Sequence, residues 1–135
     1  MLVQPYLSFD GRCEEASGFY ARAIGAETTM LMRFKDSPEP SMSPPGAENK
    51  VMHMSMRIGD SVVMASDGGC REHASFQGFS LALTAADDAD AARKFAALAD
   101  GGQVEMPLAK TFFASSFGML VDRFGVRWMI LAEAK

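Results

Sequence analysis

The sequence predicts an α+β fold: two βαβββ modules forming a curved mixed sheet around a cavity. Three observations lead there. Two apolar runs joined by a glycine turn occur twice, as VMHMSMRIGDSVVMASD at residues 51–67 and FGMLVDRFGVRWMILA at residues 117–132. Each hairpin is preceded by an amphipathic helical stripe that ends on glycine. The first is Ala16, Phe19, Tyr20, Ala23 and Ile24 before Gly25; the second is Ala92, Phe95, Ala96 and Ala99 before Gly101-Gly102. The two halves also align at nearly constant offsets, 76 residues from Phe19 to Phe95 and 66 from Gly59 to Gly125, and the difference falls in a proline-rich loop found only in the first half. Two such units bury their exposed sheet faces against each other and leave a concavity.

In chain order, Leu2–Phe9 reads as a strand, and Pro5 assigns it to a sheet edge or a bulge. Asp10-Gly11 turns the chain into a helix from about Arg12 to Ile24, with Glu14 and Glu15 at its positive end and Gly25 past its last turn. Glu27–Phe34 is the second strand. Lys35–Lys50 carries Pro38, Pro40, Pro44, Pro45 and Gly46 and is a loop, the candidate lid. Val51–Ile58 and Ser61–Ser66 form the first hairpin across Gly59-Asp60. Module one spans 1–67, a polar linker 68–76, and module two 77–135. In module two, Gln77–Thr84 is a strand. Asp87–Asp100 is a helix N-capped by Asp87 or Asp88, Gln103–Lys110 is a strand, and Phe117–Val121 pairs with Val126–Ala132 across Asp122–Gly125. In that turn Asp122 bonds its own backbone two residues on, and Gly125 supplies positive φ. Both runs are almost continuously apolar, so both faces of this hairpin are expected to be covered.

Length and composition bound the function. A chain of 135 residues makes one domain with a real core. A net charge of −4 and the lack of any basic stripe exclude a duplex nucleic-acid surface or an anionic membrane as partner. No apolar run is long enough for a membrane span, and Gln4, Ser8 and Asp10 break any leader-like start, so the expected location is the cytoplasm. There Cys13 and Cys70 are free thiols. Eleven methionines suit either an adaptable cavity lining or a core filled by flexible side chains.

Paired modules of this size resemble the vicinal oxygen chelate superfamily, which includes glyoxalase I, extradiol dioxygenases and the bleomycin and fosfomycin resistance proteins. Four segments resemble its PhnB-like branch: PYLSFDGRCEEASGFY at 5–20, IGAE at 24–27, RIGDSVVMASD at 57–67 and DRFGVRWMI at 122–130. Members of that branch are often labelled demethylubiquinone methyltransferases. A methyl-donor site of the usual kind needs a Gly-rich strand-to-helix turn in a Rossmann-like sheet, and this sequence has none. The resemblance further implies four metal ligands of His, Glu or Gln type, two per module. By pattern they fall at Pro5, near Met64, at Phe79 and at Met129. Pro and Phe cannot coordinate and thioethers favour soft ions; a shift of one residue offers Gln4, Ser66 and Ser80. No cofactor is therefore expected.

The candidate cavity residues are Tyr6, His53, Met64, Phe79, Phe112, Phe117, Trp128 and Met129. His53 is either a cavity acid, base or hydrogen-bonding group or a surface strand residue. The aromatic residues either stack on a planar ligand or serve the core and a dimer contact. Arg57 and Arg127 are candidate anion anchors. His53, Asp67, Cys70 and His73 form the alternative metal set, since thiolate, imidazole and carboxylate all bind zinc. The function expected is a homodimeric small-molecule-binding protein for an apolar or aromatic ligand. The alternative is a metal-dependent lyase, isomerase or dioxygenase with relocated ligands.

Overall fold

A computed structural model of the chain describes residues 1–37, 46–68 and 74–134. The chain divides into two compact units, Met1–Ala74 and Ser75–Lys135. Each contains one helix and one four-stranded mixed sheet.

The first unit runs β1 (Tyr6–Ser8), α1 (Cys13–Ile24), β2 (Glu27–Arg33), β3 (Val51–Ile58) and β4 (Ser61–Ser66), with a short 3-10 turn at Phe34–Asp36. Its sheet order is β1-β4-β3-β2; β1 is parallel to β4 and the other pairs are antiparallel. The first strand is shorter than its apolar run predicts. Pro5 lies just outside it, where its carbonyl still accepts the Met64 amide at 3.0 Å, and β1 forms one edge of the sheet. Helix α1 buries Cys13, Ala16, Phe19, Tyr20 and Ile24. It covers the face that carries Leu7, Met54 and Ala65, which register joins side by side. Cys13 Sγ lies 3.9 Å from Met54 Sδ across that contact. Each long side chain so enclosed contributes about 1.5–3 kcal/mol.

The α1 N-terminus has no local side-chain cap. Asp67, just past β4, does the work from a distance. Its carboxylate accepts the amides of Gly11 (2.7 Å), Cys13 (2.9 Å) and Val51 (2.9 Å), tying the β1–α1 turn, the helix start and the start of β3 together. The negative charge also meets the positive helix end. At the other terminus Gly25 adopts φ 74° and donates to Ala21 O, while Ala26 donates to Tyr20 O, so the last carbonyls are satisfied.

The second unit repeats the order: β5 (Leu81–Ala85), α2 (Asp88–Ala99), β6 (Gln103–Ala109), β7 (Ala114–Val121) and β8 (Arg127–Glu133). Its sheet order is β5-β8-β7-β6, again with the first and last strands parallel. Strand β5 starts at Leu81, four residues later than the sequence pattern suggests, because the chain from Gln77 to Ser80 stays unpaired with β8. Asp87 caps α2 by accepting the Asp90 amide at 2.7 Å, and Asp90 accepts the Ala86 amide at 3.1 Å. Phe95 of α2 presses on Gly118 of β7. A Cβ at Gly118 would lie 2.7 Å from Phe95 Cε2, so only glycine lets helix and sheet approach this closely.

The last hairpin closes on Asp122. Its carboxylate accepts the amides of Phe124 (2.9 Å) and Val126 (3.1 Å) and the Trp128 indole N–H (2.9 Å). The two faces of β8 differ. Trp128, Ile130 and Ala132 are buried on the α2 side, while Met129 and Leu131 are only half-buried on the other. Both faces are thus not fully covered: the continuous apolar run conceals an ordinary alternation. No helix is long and apolar enough to cross a membrane among the described residues.

Candidate functional site

The sheet face of each unit opposite its helix carries Tyr6, His53 and Met64 in unit one and Phe117 and Met129 in unit two. In the first unit register sets Tyr6 beside Met64, Met64 beside Ser55 and Ser55 beside Met30, one residue from each strand on one face. His53 lies two residues from Ser55 on β3 and so shares that face. Tyr6 reaches over β4, which separates β1 from β3. Its Oη lies 3.1 Å from His53 Nδ1, with ring centroids 5.6 Å apart. Ser55 Oγ lies 3.5 Å from His53 Nε2. The imidazole therefore holds a hydroxyl at each ring nitrogen. Tyr6 is 48% exposed and Met30 42% exposed, while His53, Ser55 and Met64 are half-buried. The result is a polar group of three set among thioethers, with a phenol at its accessible end.

In the second unit the equivalent row is Ala82, Met129, Met119 and Met106, and the next row on the same face is Thr84, Leu131, Phe117 and Ala109. This face has no counterpart of the Tyr6–His53 pair. Phe117 is buried on it beneath Phe113 at 5.1 Å, and Phe113 in turn meets Phe112 at 5.1 Å.

The sequence-derived candidates thus separate. Tyr6, His53 and Met64 are brought together in unit one, and Met129 and Phe117 share the open face of unit two. Phe112 is 98% exposed in the β6–β7 connection, and Phe79 is exposed ahead of β5. Trp128 is 3% exposed on the α2 side, donating to Asp122, which makes it a core residue. Ser55, Met119 and Met106 complete the rows. Alternation on β3 and β7 placed Ser55 and Met119 within reach of sequence reasoning, while Met106 joins its row through a register shift in β6 that alternation does not show.

The metal positions implied by resemblance need a similar correction. The β1 residue paired with Met64 is Tyr6, and the β5 residue paired with Met129 is Ala82; Pro5 and Phe79 lie outside both strands. Of the near-register alternatives, Gln4 and Ser80 also lie outside strands, and Ser66 is buried, accepting the Gly68 amide at 3.2 Å. One phenol, two thioethers and a methyl group do not fit a hard divalent cation. In the alternative set His53, Asp67, Cys70 and His73, residues Cys70 and His73 lie outside the described residues, as do Pro38, Pro40, Pro44 and Pro45 of the candidate lid. Asp67 is committed to three backbone amides. Among the described residues no three of His, Cys, Asp or Glu gather.

Electrostatics leave the remaining candidates quiet. Burial pushes the Cys13 thiol up to about 12, reinforced by the negative charges of Asp67 and Glu14, so it is an inert packing residue. Arg57 pairs with Glu27, and Arg127 with Glu105 at 3.3 Å, so each candidate anion anchor has a carboxylate partner within its own sheet.

Comparisons with known proteins bear on the family and the fold. The sequence family described as 3-demethylubiquinone-9 3-methyltransferase matches residues 2–131. The crystal structure of protein PA1353 from Pseudomonas aeruginosa is 40% identical, with a TM-score of 0.88 over 100% of this chain and 99% of that one. A putative 3-demethylubiquinone-9 3-methyltransferase, PhnB protein, from Bacillus cereus is 26% identical, with a TM-score of 0.81 over 98% and 99%. The fosfomycin resistance protein FosX from Mesorhizobium loti shares the fold alone, at 12% identity and a TM-score of 0.61 over 100% and 91%.

Proposed function

We infer that this chain, which belongs to the family described as 3-demethylubiquinone-9 3-methyltransferase, falls in the PhnB-like branch of the vicinal oxygen chelate superfamily. From that premise we propose that it is a small-molecule-binding protein. It takes an apolar or aromatic ligand on the open face of its first sheet, and the ligand's one polar group is anchored by Tyr6 and His53. The observation that carries the reading is the Tyr6–His53–Ser55 group on a face otherwise lined by Met30, Met64 and their neighbours. Methionines adapt their shape to a planar ligand. A phenol held by an imidazole gives the ligand one directional hydrogen bond, the usual make-up of a small-molecule site.

Methyl transfer is not favoured by the chain's own residues. The strand–helix connections are Phe9-Asp10-Gly11-Arg12 and Ala86-Asp87, in mixed sheets. Neither is the Gly-rich turn that cradles a methyl donor in a Rossmann-like sheet.

The test is titration with 1-naphthol, an aromatic probe with a single hydroxyl, followed by thermal shift and fluorescence. Saturable binding is expected, weakened about fivefold in Tyr6→Phe and again in His53→Leu, the loss of one hydrogen bond in each case. Binding that both variants leave unchanged would overturn the reading. We further propose a cytoplasmic homodimer: β2 and β6 are edge strands with unpaired backbone groups, β6 exposes Val104 on its helix-side face, and exposed edges call for cover. A light-scattering mass equal to one chain at every concentration would refute the dimer.

A further inference from the structure

We propose that the open face of the second unit is a binding site for a soft monovalent cation, copper(I), held by the thioethers of Met106, Met119 and Met129. Met119 on β7 pairs directly with Met106 on β6 and with Met129 on β8. Three thioethers therefore stand in one row on one face of three adjacent strands. Neighbouring strands lie about 4.8 Å apart, and methionine has three rotatable bonds after Cα. The two outer sulfurs can swing inward to a point above the central one.

A register shift brings the third sulfur into the row. Val104 pairs with Leu120, which faces α2, and Met106 pairs with Met119, which faces away. Glu105 is the additional residue between them. In an unshifted ladder Glu105 would pair with Met119, and Met106 would stand opposite Gly118, on the helix side. The bulge turns Met106 round, and bulges often re-aim a side chain in this way. Met106 is 45% exposed, and Met119 and Met129 are half-buried, so an ion arriving from solvent can reach all three.

Donor chemistry selects the ion. Neutral thioethers bind soft ions such as copper(I) and offer little to zinc, magnesium or calcium, which take imidazole, carboxylate or carbonyl ligands. The fourth residue of the row, Ala82, adds no competing donor. The nearby charges, Arg127 and Glu105, neutralise one another at 3.3 Å. This site lies in the other unit from the Tyr6–His53 face, and its success or failure is read independently of ligand binding there.

The test uses silver(I), a redox-inert soft cation, on the full chain labelled at the methionine methyls. The background is Cys70→Ser, so that this thiol does not compete; Cys13 is buried. One equivalent of silver is expected to move the methyl signals of Met106, Met119 and Met129 together and to leave Met30 and Met64 in place. Anaerobic copper(I), in competition with a chromophoric chelator, should bind with the same stoichiometry, and zinc should move none of the signals. Met119→Leu, close to neutral for folding, should weaken silver binding by more than the roughly tenfold typical of outer-shell changes. Met129→Leu offers the same loss if the first variant folds poorly. Silver that leaves the three signals in place, shifts all methionines alike, or binds Met119→Leu unchanged would overturn the proposal.

Discussion

The two units share one topology and close it by different means. In unit one the helix start is held from a distance: Asp67, at the far end of β4, accepts the amides of Gly11, Cys13 and Val51. In unit two the helix holds its own start, with Asp87 accepting from Asp90 and Asp90 from Ala86. The open faces diverge as well. Tyr6, Ser55 and His53 of the first occupy the places of Ala82, Met119 and Phe117 in the second. The helix-covered faces stay apolar in both. The difference teaches that the fold requires an apolar helix-side face and some answer to the unpaired amides at the helix start. The opposite face is under no such demand, and the two units carry different residues there.

If unit one depends on a long-range cap, Asp67→Ala is the most damaging single change. It leaves the buried amides of Cys13 and Val51 and the part-buried amide of Gly11 without an acceptor, at a cost of about 3 kcal/mol or more. Denaturant unfolding should show that loss. A cost below about 1 kcal/mol, comparable to an ordinary cap, would make the two units equivalent after all.

The matching demand in unit two is steric. Gly118→Ala places a methyl group against Phe95 and should cost about 1–3 kcal/mol by overpacking. The double variant Gly118→Ala, Phe95→Leu should recover part of it, which separates the contact from backbone effects. Asp87→Ala removes only a local cap and should cost about 1 kcal/mol, clearly less than Asp67→Ala.

Asp90 gives the pH form of the same contrast. The Ala86 amide, and then Lys94, hold its carboxyl below the usual Asp range. A depressed folded value means that its stabilisation is fully present above the unfolded Asp pKa and is lost as pH falls through the folded one. The stability gap between the wild type and Asp90→Asn should therefore be constant at neutral pH and close at acid pH, below about 3.9. A gap that does not narrow as pH is lowered below the unfolded Asp value would contradict the assignment. The smallest effect concerns Cys13. With its thiol pushed up to about 12, it should stay unalkylated by iodoacetamide at pH 8 in the native protein and react once unfolded, as peptide mass spectrometry would show.

Much of this architecture was legible in the sequence because it rests on local rules. The α1 stripe follows a helical period, Asp122 and Gly125 mark their turn, and β3 and β4 have the limits their apolar runs suggest. The α2 stripe is a correction: the helix buries Ala91, Phe95 and Leu98, and Ala92 and Ala96 of the stripe read from the sequence are exposed. What was not legible is non-local. Nothing in Asp67 itself says that it caps a helix more than fifty positions earlier, since a polar residue after a strand looks like a turn residue. Trp128 reads equally well as a ligand platform or as core, and its bond to Asp122 decides for the core. The short β1 and the late start of β5 displace the residues that resemblance would assign to a metal, because strand pairing, not apolar character, sets which residue stands beside Met64 or Met129. The open faces were half legible: alternation gave their members, while the bulge at Glu105 that brings Met106 into line has no local signature.

We propose that this protein meets its ligand on the Tyr6–His53 face of unit one, and the methionine methyl and histidine ring signals of the full chain during titration with 1-naphthol test this. The signals of Met30, Met64 and His53 should move together and saturate, and Tyr6→Phe should weaken their response by about fivefold, one hydrogen bond's worth. Saturable binding that leaves those three signals unmoved, or no binding at all, would contradict it.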